Sequence, residues 1–111
     1  MDVFDLAEVV AQHGQSGNLY HEFFVAPRLS LGLYVLPAGQ PDPQRPHTED
    51  EVYYVVSGKG MVQVGNEERP VTTGSMVYVG EGVDHRFHSI TEDLTILVVF
   101  APPRRSRSAQ E

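Results

Sequence analysis

His47 and Glu51 stand four residues apart, and His85 lies much further along the chain. Two imidazoles and one carboxylate form a donor set suited to a divalent transition metal, the two-histidine, one-carboxylate triad that leaves coordination positions open. Each donor borders a short hydrophobic run. His47-Thr-Glu-Asp-Glu51 leads into Val52-Tyr-Tyr-Val-Val-Ser-Gly58, and Gly74-Ser-Met-Val-Tyr-Val-Gly-Glu-Gly82-Val-Asp leads into His85. The chain has no cysteine, so any metal must be held by nitrogen and oxygen. Those ligands suit Fe, Mn, Zn, Ni or Cu without choosing among them. Coordination requires neutral imidazole, so affinity is expected to fall below about pH 6.

The elements that must position these residues read as strands. Ser30–Leu36 alternates apolar and small or polar positions, the period of a half-buried strand. Further strands are expected at 18–25, 51–57, 61–64, 76–79, 85–89 and 94–100, with a short segment beginning at Pro70. The run 94–100 is apolar enough to be covered on both faces. Gly58-Lys-Gly60, Gly65-Asn66 and Gly80-Glu-Gly82 read as turns. Four prolines and one glycine between residues 37 and 46 make that stretch a loop. One helix is expected over 4–12, capped by Asp2 and stopped by Gly14. Seven or eight short strands with one helix predict an antiparallel sandwich or barrel. On a regular strand, residues 45, 47, 49 and 51 share one face, as do 85 and 87.

Length and composition narrow the function classes. At 111 residues the chain fits one domain, divided into an N-terminal helical segment (1–16), a barrel (17–103) and a disordered tail (104–111). The formal net charge of −7 argues against nucleic-acid binding, which needs a basic footprint. Arg104, Arg105 and Arg107 read as a solvated end. No signal sequence or apolar span is evident, so a cytoplasmic protein off the membrane is the expectation. No Walker or Rossmann glycine pattern opens a helix, and no serine sits in a Gly-x-Ser-x-Gly elbow.

Taken together, the spacings resemble the cupins, in particular small single-domain bacterial-type members. Gly39, His47, Glu51 and Gly58 match the first cupin motif, and Gly74, Gly82 and His85 match the second. Fifteen residues separate Gly58 from Gly74, as in small microbial cupins. The resemblance spans about residues 31–102. It implies an all-β, antiparallel jelly-roll barrel (double-stranded β-helix), a metal held by His47, Glu51 and His85, and a homodimer. Three positions depart from the pattern: Arg45 stands at the first motif histidine, Gly80 at the turn proline, and Ser89 at the asparagine.

Arg45 admits three readings. It faces solvent, or it points inward and pairs with a substrate carboxylate, or the loop shifts so that Gln44 supplies a fourth oxygen ligand. Tyr53 and Phe87 have the parity to line a substrate pocket, and Phe100 joins them. Glu49 and Asp50 read as a solvated acidic turn, His88 falls outside by parity, and His13 and His21 carry no motif. Residues 52, 54 and 56 form a second apolar face, suited to an inner sheet or a dimer contact. The resulting expectation is a metal-dependent, dioxygenase-like enzyme acting on a small organic molecule. The alternatives are a non-catalytic sensor or carrier module and an isomerase or lyase using His85 or Glu51 as acid or base.

Overall fold

Two long strands dominate the architecture, and both run through places where glycine or a polar residue interrupts the apolar pattern. The computed structural model describes residues 1–44 and 46–104. Its elements are α1 (Leu6–Ser16), β1 (Tyr20–Val25), β2 (Ser30–Leu36), β3 (Asp50–Val64), β4 (Glu67–Thr72), β5 (Met76–Val79) and β6 (His85–Ala101). The sheet order is β1-β2-β6-β3-β4, with β5 also paired to β3, and every pairing is antiparallel. Among the described residues there are six strands rather than seven or eight, because 51–57 joins 61–64 and 85–89 joins 94–100. No helix among these residues is long and apolar enough to cross a membrane.

The joining has a physical cause. Residues 51, 53 and 55 of β3 are buried, but further along the buried residue is Val62; in β6, residues 85 and 87 are buried, then 90, 94, 96, 98 and 100. The inward parity therefore switches in both strands, at register shifts between Val55 and Met61. Such bulges bend the paired strands without ending them. The N-terminal half of β3 pairs with the C-terminal half of β6 and with β5, while its other half pairs with the start of β6 and with β4. The bent ribbon thus supplies both walls of one core, which holds Tyr53, Val55, Leu94, Ile96 and Val98 from one half and Val62, Phe87 and Ile90 from the other.

Gly58 sits at the bend with φ +103°, and a Cβ there would lie 2.1 Å from the Asp93 carbonyl oxygen. Glycine marks a close approach of two backbones here, not a chain break. Ser89 adopts φ +49° where β6 changes parity.

The expected helix is real but displaced. It begins after Asp5, which stands at the N-cap in place of Asp2, and ends at Gly17, which takes the left-handed conformation, while Gly14 lies within it. Its buried residue is Val9, and ahead of it Phe4 packs against both Phe23 and Phe24, with ring centroids 5.1 and 5.3 Å apart. A register shift between Glu22 and Phe24 accompanies that double contact.

The 94–100 run is buried on its even positions and only half-buried on its odd ones. Its less covered face continues through Val52 and Tyr54 to their partners Tyr78 and Met76. These four are 40, 40, 63 and 74% exposed, so 52 and 54 do not belong to an inner sheet.

The bend generates a stability prediction. Gly58→Ala should cost about 3 kcal/mol, combining left-handed strain with a backbone clash. Gly74→Ala, at φ +92° but with open space around its Cβ, should cost only about 1 kcal/mol. Urea unfolding of both variants reads the difference.

Candidate metal centre

Three ligand atoms from His47, Glu51 and His85 lie within 4.8 Å of one another. Glu51 projects inward from the second residue of β3, opposite Phe100 on β6 and Val79 on β5. His85 is the first residue of β6 and is buried. His47 precedes β3, so the loop, not strand alternation, orients it. Its ring meets the Phe100 ring edge-on at 5.1 Å, and its carbonyl accepts the Gly82 N–H at 2.7 Å. That backbone bond ties the loop carrying one imidazole to the turn that launches the other.

His85 Nδ1 lies 2.8 Å from the Val83 carbonyl oxygen. A carbonyl only accepts, so Nδ1 carries the proton and, in the neutral ring, Nε2 presents a lone pair to the interior. Glu51 Oε1 is 3.3 Å from that Nε2 and 4.0 Å from His47 Nε2. Both Glu51 oxygens are buried without a hydrogen-bond partner. Lone pairs converging in a dry interior repel one another unless a proton or a cation lies among them. The residues therefore fit a divalent metal.

Burial pushes the Glu51 carboxyl up from 4.5 to about 7. The Tyr53 hydroxyl is close enough to lower it somewhat, although it aims its proton at Gln44, 2.8 Å away. Glu49 and Asp42 raise it further, and Arg104 opposes them.

Gln44 belongs to the cluster. Its Oε1 lies 3.2 Å from His85 Nε2, and its amide donates to Asp42 Oδ2 at 2.7 Å. Asp42 also accepts from the Tyr34 hydroxyl, the Gln44 backbone N–H and the Phe87 N–H. Sequence reasoning passed over Asp42, although an aspartate bonding the backbone two residues on is a recognisable turn former. Arg104 was also missed. Its backbone N–H donates to Ser30 Oγ, and its guanidinium sits 4.8 Å from the Tyr20 ring centroid. The first residue of the expected tail is thus packed against the barrel, while Arg105 and Arg107 lie outside the described residues.

Other expectations fared unevenly. Arg45 lies outside the described residues. Glu49 is 1% exposed instead of solvated, and Thr48 donates its hydroxyl to the Glu49 carboxylate. Asp50 is exposed, as expected, and accepts the Glu81 N–H. His88 turns away from the centre and pairs with Glu68 at 2.6 Å. Beside the centre is a cavity of about 320 Å³ lined by Asp42, Gln44, Pro46, Gln63, Asp84, His85 and Arg86. Tyr53, Phe87 and Phe100 do not line it. They form the packed wall behind the His/Glu/His cluster, Tyr53 and Phe87 meeting edge-on at 5.1 Å.

An antiparallel barrel with an inward His/Glu/His cluster able to hold a metal is the architecture of a class of small β-proteins. Residues 32–100 match the family model of the cupin domain, and the chain belongs to the cupins. It is similar to an uncharacterised protein of Streptomyces coelicolor, 48% identical over 93% of this chain and 98% of that one. Its fold is similar to the crystal structure of TT1209 from Thermus thermophilus (TM-score 0.77, 28% identity, covering 93% and 99% of the two chains). It is also similar to the DMSP lyase DddQ from Ruegeria pomeroyi (TM-score 0.64, 22% identity, covering 68% and 39%).

The raised Glu51 carboxyl generates a pH prediction. Its folded value of about 7 exceeds the unfolded 4.5, so between them the native state binds more protons and stability falls as pH rises. The loss reaches on the order of 3 kcal/mol once Glu51 is ionised without metal. Metal-free protein should melt lower at pH 8 than at pH 5. Glu51→Gln should remove most of that difference while abolishing metal retention. Thermal melts in chelator across pH check it, and an unchanged pH slope in the variant contradicts it.

Proposed function

We propose that this cupin is a metal-dependent enzyme acting on a small polar organic molecule, with oxygenase-type chemistry of the dioxygenase kind. The observation that carries this reading is the buried Glu51 carboxylate, without a hydrogen bond, facing two imidazoles. His47, Glu51 and His85 would hold the ion. A bound divalent metal supplies Lewis acidity and, if it is iron, the capacity to activate O₂.

The protein's own residues supply the remainder. Tyr53, Phe87 and Phe100 exclude water from behind the ligands, which strengthens every charge interaction in front of them. The Val83 carbonyl fixes the His85 tautomer and ring orientation. The adjoining cavity offers Gln63, Asp84 and Arg86 to a polar substrate. Arg86 makes a 3.4 Å contact to Gln63 Oε1 through its Nε, so the outer nitrogens of its guanidinium can meet an anionic group.

The likeness to DddQ, named as a DMSP lyase, favours a second reading in which the same centre performs an elimination without O₂. The two readings separate on oxygen dependence. Protein loaded with Fe(II) without air, then offered a panel of small carboxylic acids, should consume O₂ with turnover if the first is right. Turnover that is equal without O₂ establishes the second. Both rest on the metal, so the primary measurement is elemental analysis of protein purified without a histidine tag. It should hold close to one transition-metal ion per chain. The His47→Ala, His85→Ala variant should lose most of it, and equal content in the two sinks the proposal.

The reading extends to assembly as a homodimer in which two copies pair through Val52, Tyr54, Met76 and Tyr78. Sedimentation equilibrium should give twice the 12.3 kDa chain mass. Tyr54→Glu with Met76→Glu should bring it to the single-chain value, and an unchanged mass removes that interface.

A further inference from the structure

Gln44 is held in a way that leaves its amide no freedom. Asp42 Oδ2 is an acceptor and lies 2.7 Å from the Gln44 side-chain nitrogen, so the NH₂ must face Asp42. The carbonyl oxygen then faces the opposite way, toward His85 Nε2 at 3.2 Å and under the Tyr53 hydroxyl at 2.8 Å. Asp42 is itself immobilised by Tyr34 and by the Gln44 and Phe87 backbone N–H groups. Two side-chain and two backbone donors thus converge on one carboxylate, whose effect is to choose which end of a neighbouring amide enters the metal centre.

The oxygen that enters is a neutral carbonyl, a hard donor compatible with the imidazoles and carboxylate already there. It meets the Nε2 that the Val83 carbonyl leaves unprotonated in neutral His85. At 3.2 Å two facing lone pairs repel, and a shared cation removes the repulsion as it does at Glu51.

Resting on the metal reading of the site, we infer that Gln44 Oε1 is the fourth protein ligand and that Asp42 is the positioning residue that turns it inward. With a six-coordinate ion, four protein ligands leave two positions. A substrate that binds through two oxygens fills both. The class expected is a small chelating acid or enol, with Arg86 beside the same cavity to take a further anionic oxygen.

Cobalt(II) titration of the whole chain tests this, read by affinity and by the visible absorption of the bound ion, which reports its ligand set. Gln44→Leu should weaken binding about 10-fold or more and alter the spectrum. Gln44→Glu, which keeps an oxygen facing the centre but sets a second carboxylate against Asp42, should bind more tightly than Gln44→Leu. Asp42→Asn should weaken binding roughly 10- to 100-fold, because its amide lets Gln44 flip and present NH₂ to the centre. Adding Gln44→Glu to Asp42→Asn should restore affinity, a rescue that a merely structural role for Asp42 would not permit. Circular dichroism confirms that each variant is folded, and the Gln44 pair alone decides the ligand assignment if Asp42→Asn is not. Wild-type affinity and spectrum in Gln44→Leu overturn the assignment and leave the three-residue centre standing. Failure of the rescue overturns the role of Asp42. Cobalt binding that survives His47→Ala with His85→Ala overturns the metal reading itself.

Discussion

The crowding of electron pairs around Glu51 is the constraint on which the rest of this molecule depends. A carboxylate with no hydrogen bond, 3.3 Å from an imidazole nitrogen, is costly in a dry interior unless positive charge is supplied. Nearly every feature nearby preserves that arrangement. The aromatic wall of Tyr53, Phe87 and Phe100 keeps water out. The Val83 carbonyl dictates the proton position on His85, and Asp42 dictates the orientation of Gln44. Among the described residues, the fold does not relieve the crowding with a lysine or a serine hydroxyl at the centre. Arg104 only tempers it, by lowering the Glu51 carboxyl.

The bent β3–β6 ribbon makes the crowding geometrically achievable. Glu51 lies at the start of β3 and His85 at the start of β6, and in a straight antiparallel pair those positions would sit at opposite ends. His85 is indeed paired with Val64, the last residue of β3. Folding the ribbon back at Gly58 and Ser89 brings its two ends together across the core. The parity switches accompany that fold, and they keep apolar side chains inward on both halves.

Much of this was legible in the residues. The clustering of His47, Glu51 and His85 was legible in motif spacings that resemble the cupins, the barrel also in period-2 apolar runs, and β2 and β5 matched their expected bounds. The errors share one cause: local signals were read without the neighbour that gave them meaning. Gly58 and Gly60 looked like a turn because the segment of β6 that presses on Gly58 is distant in sequence. Gly14 looked like a helix stop because nothing local reveals that Gly17 takes the left-handed conformation. Glu49 looked solvated because acidic clusters usually are, and its burial depends on tertiary placement. Asp42 had a local signature of its own, but its consequence emerges only when Gln44 meets His85.

The 2.7 Å bond from the Gly82 N–H to the His47 carbonyl has a dynamic corollary. It couples the two imidazole-bearing segments, so a fluctuation that loosens one also releases the other. An ion held between them would then be released by one opening event that frees both nitrogens together. Because that opening must break the Gly82 hydrogen bond, exchange of the Gly82 amide proton would time it.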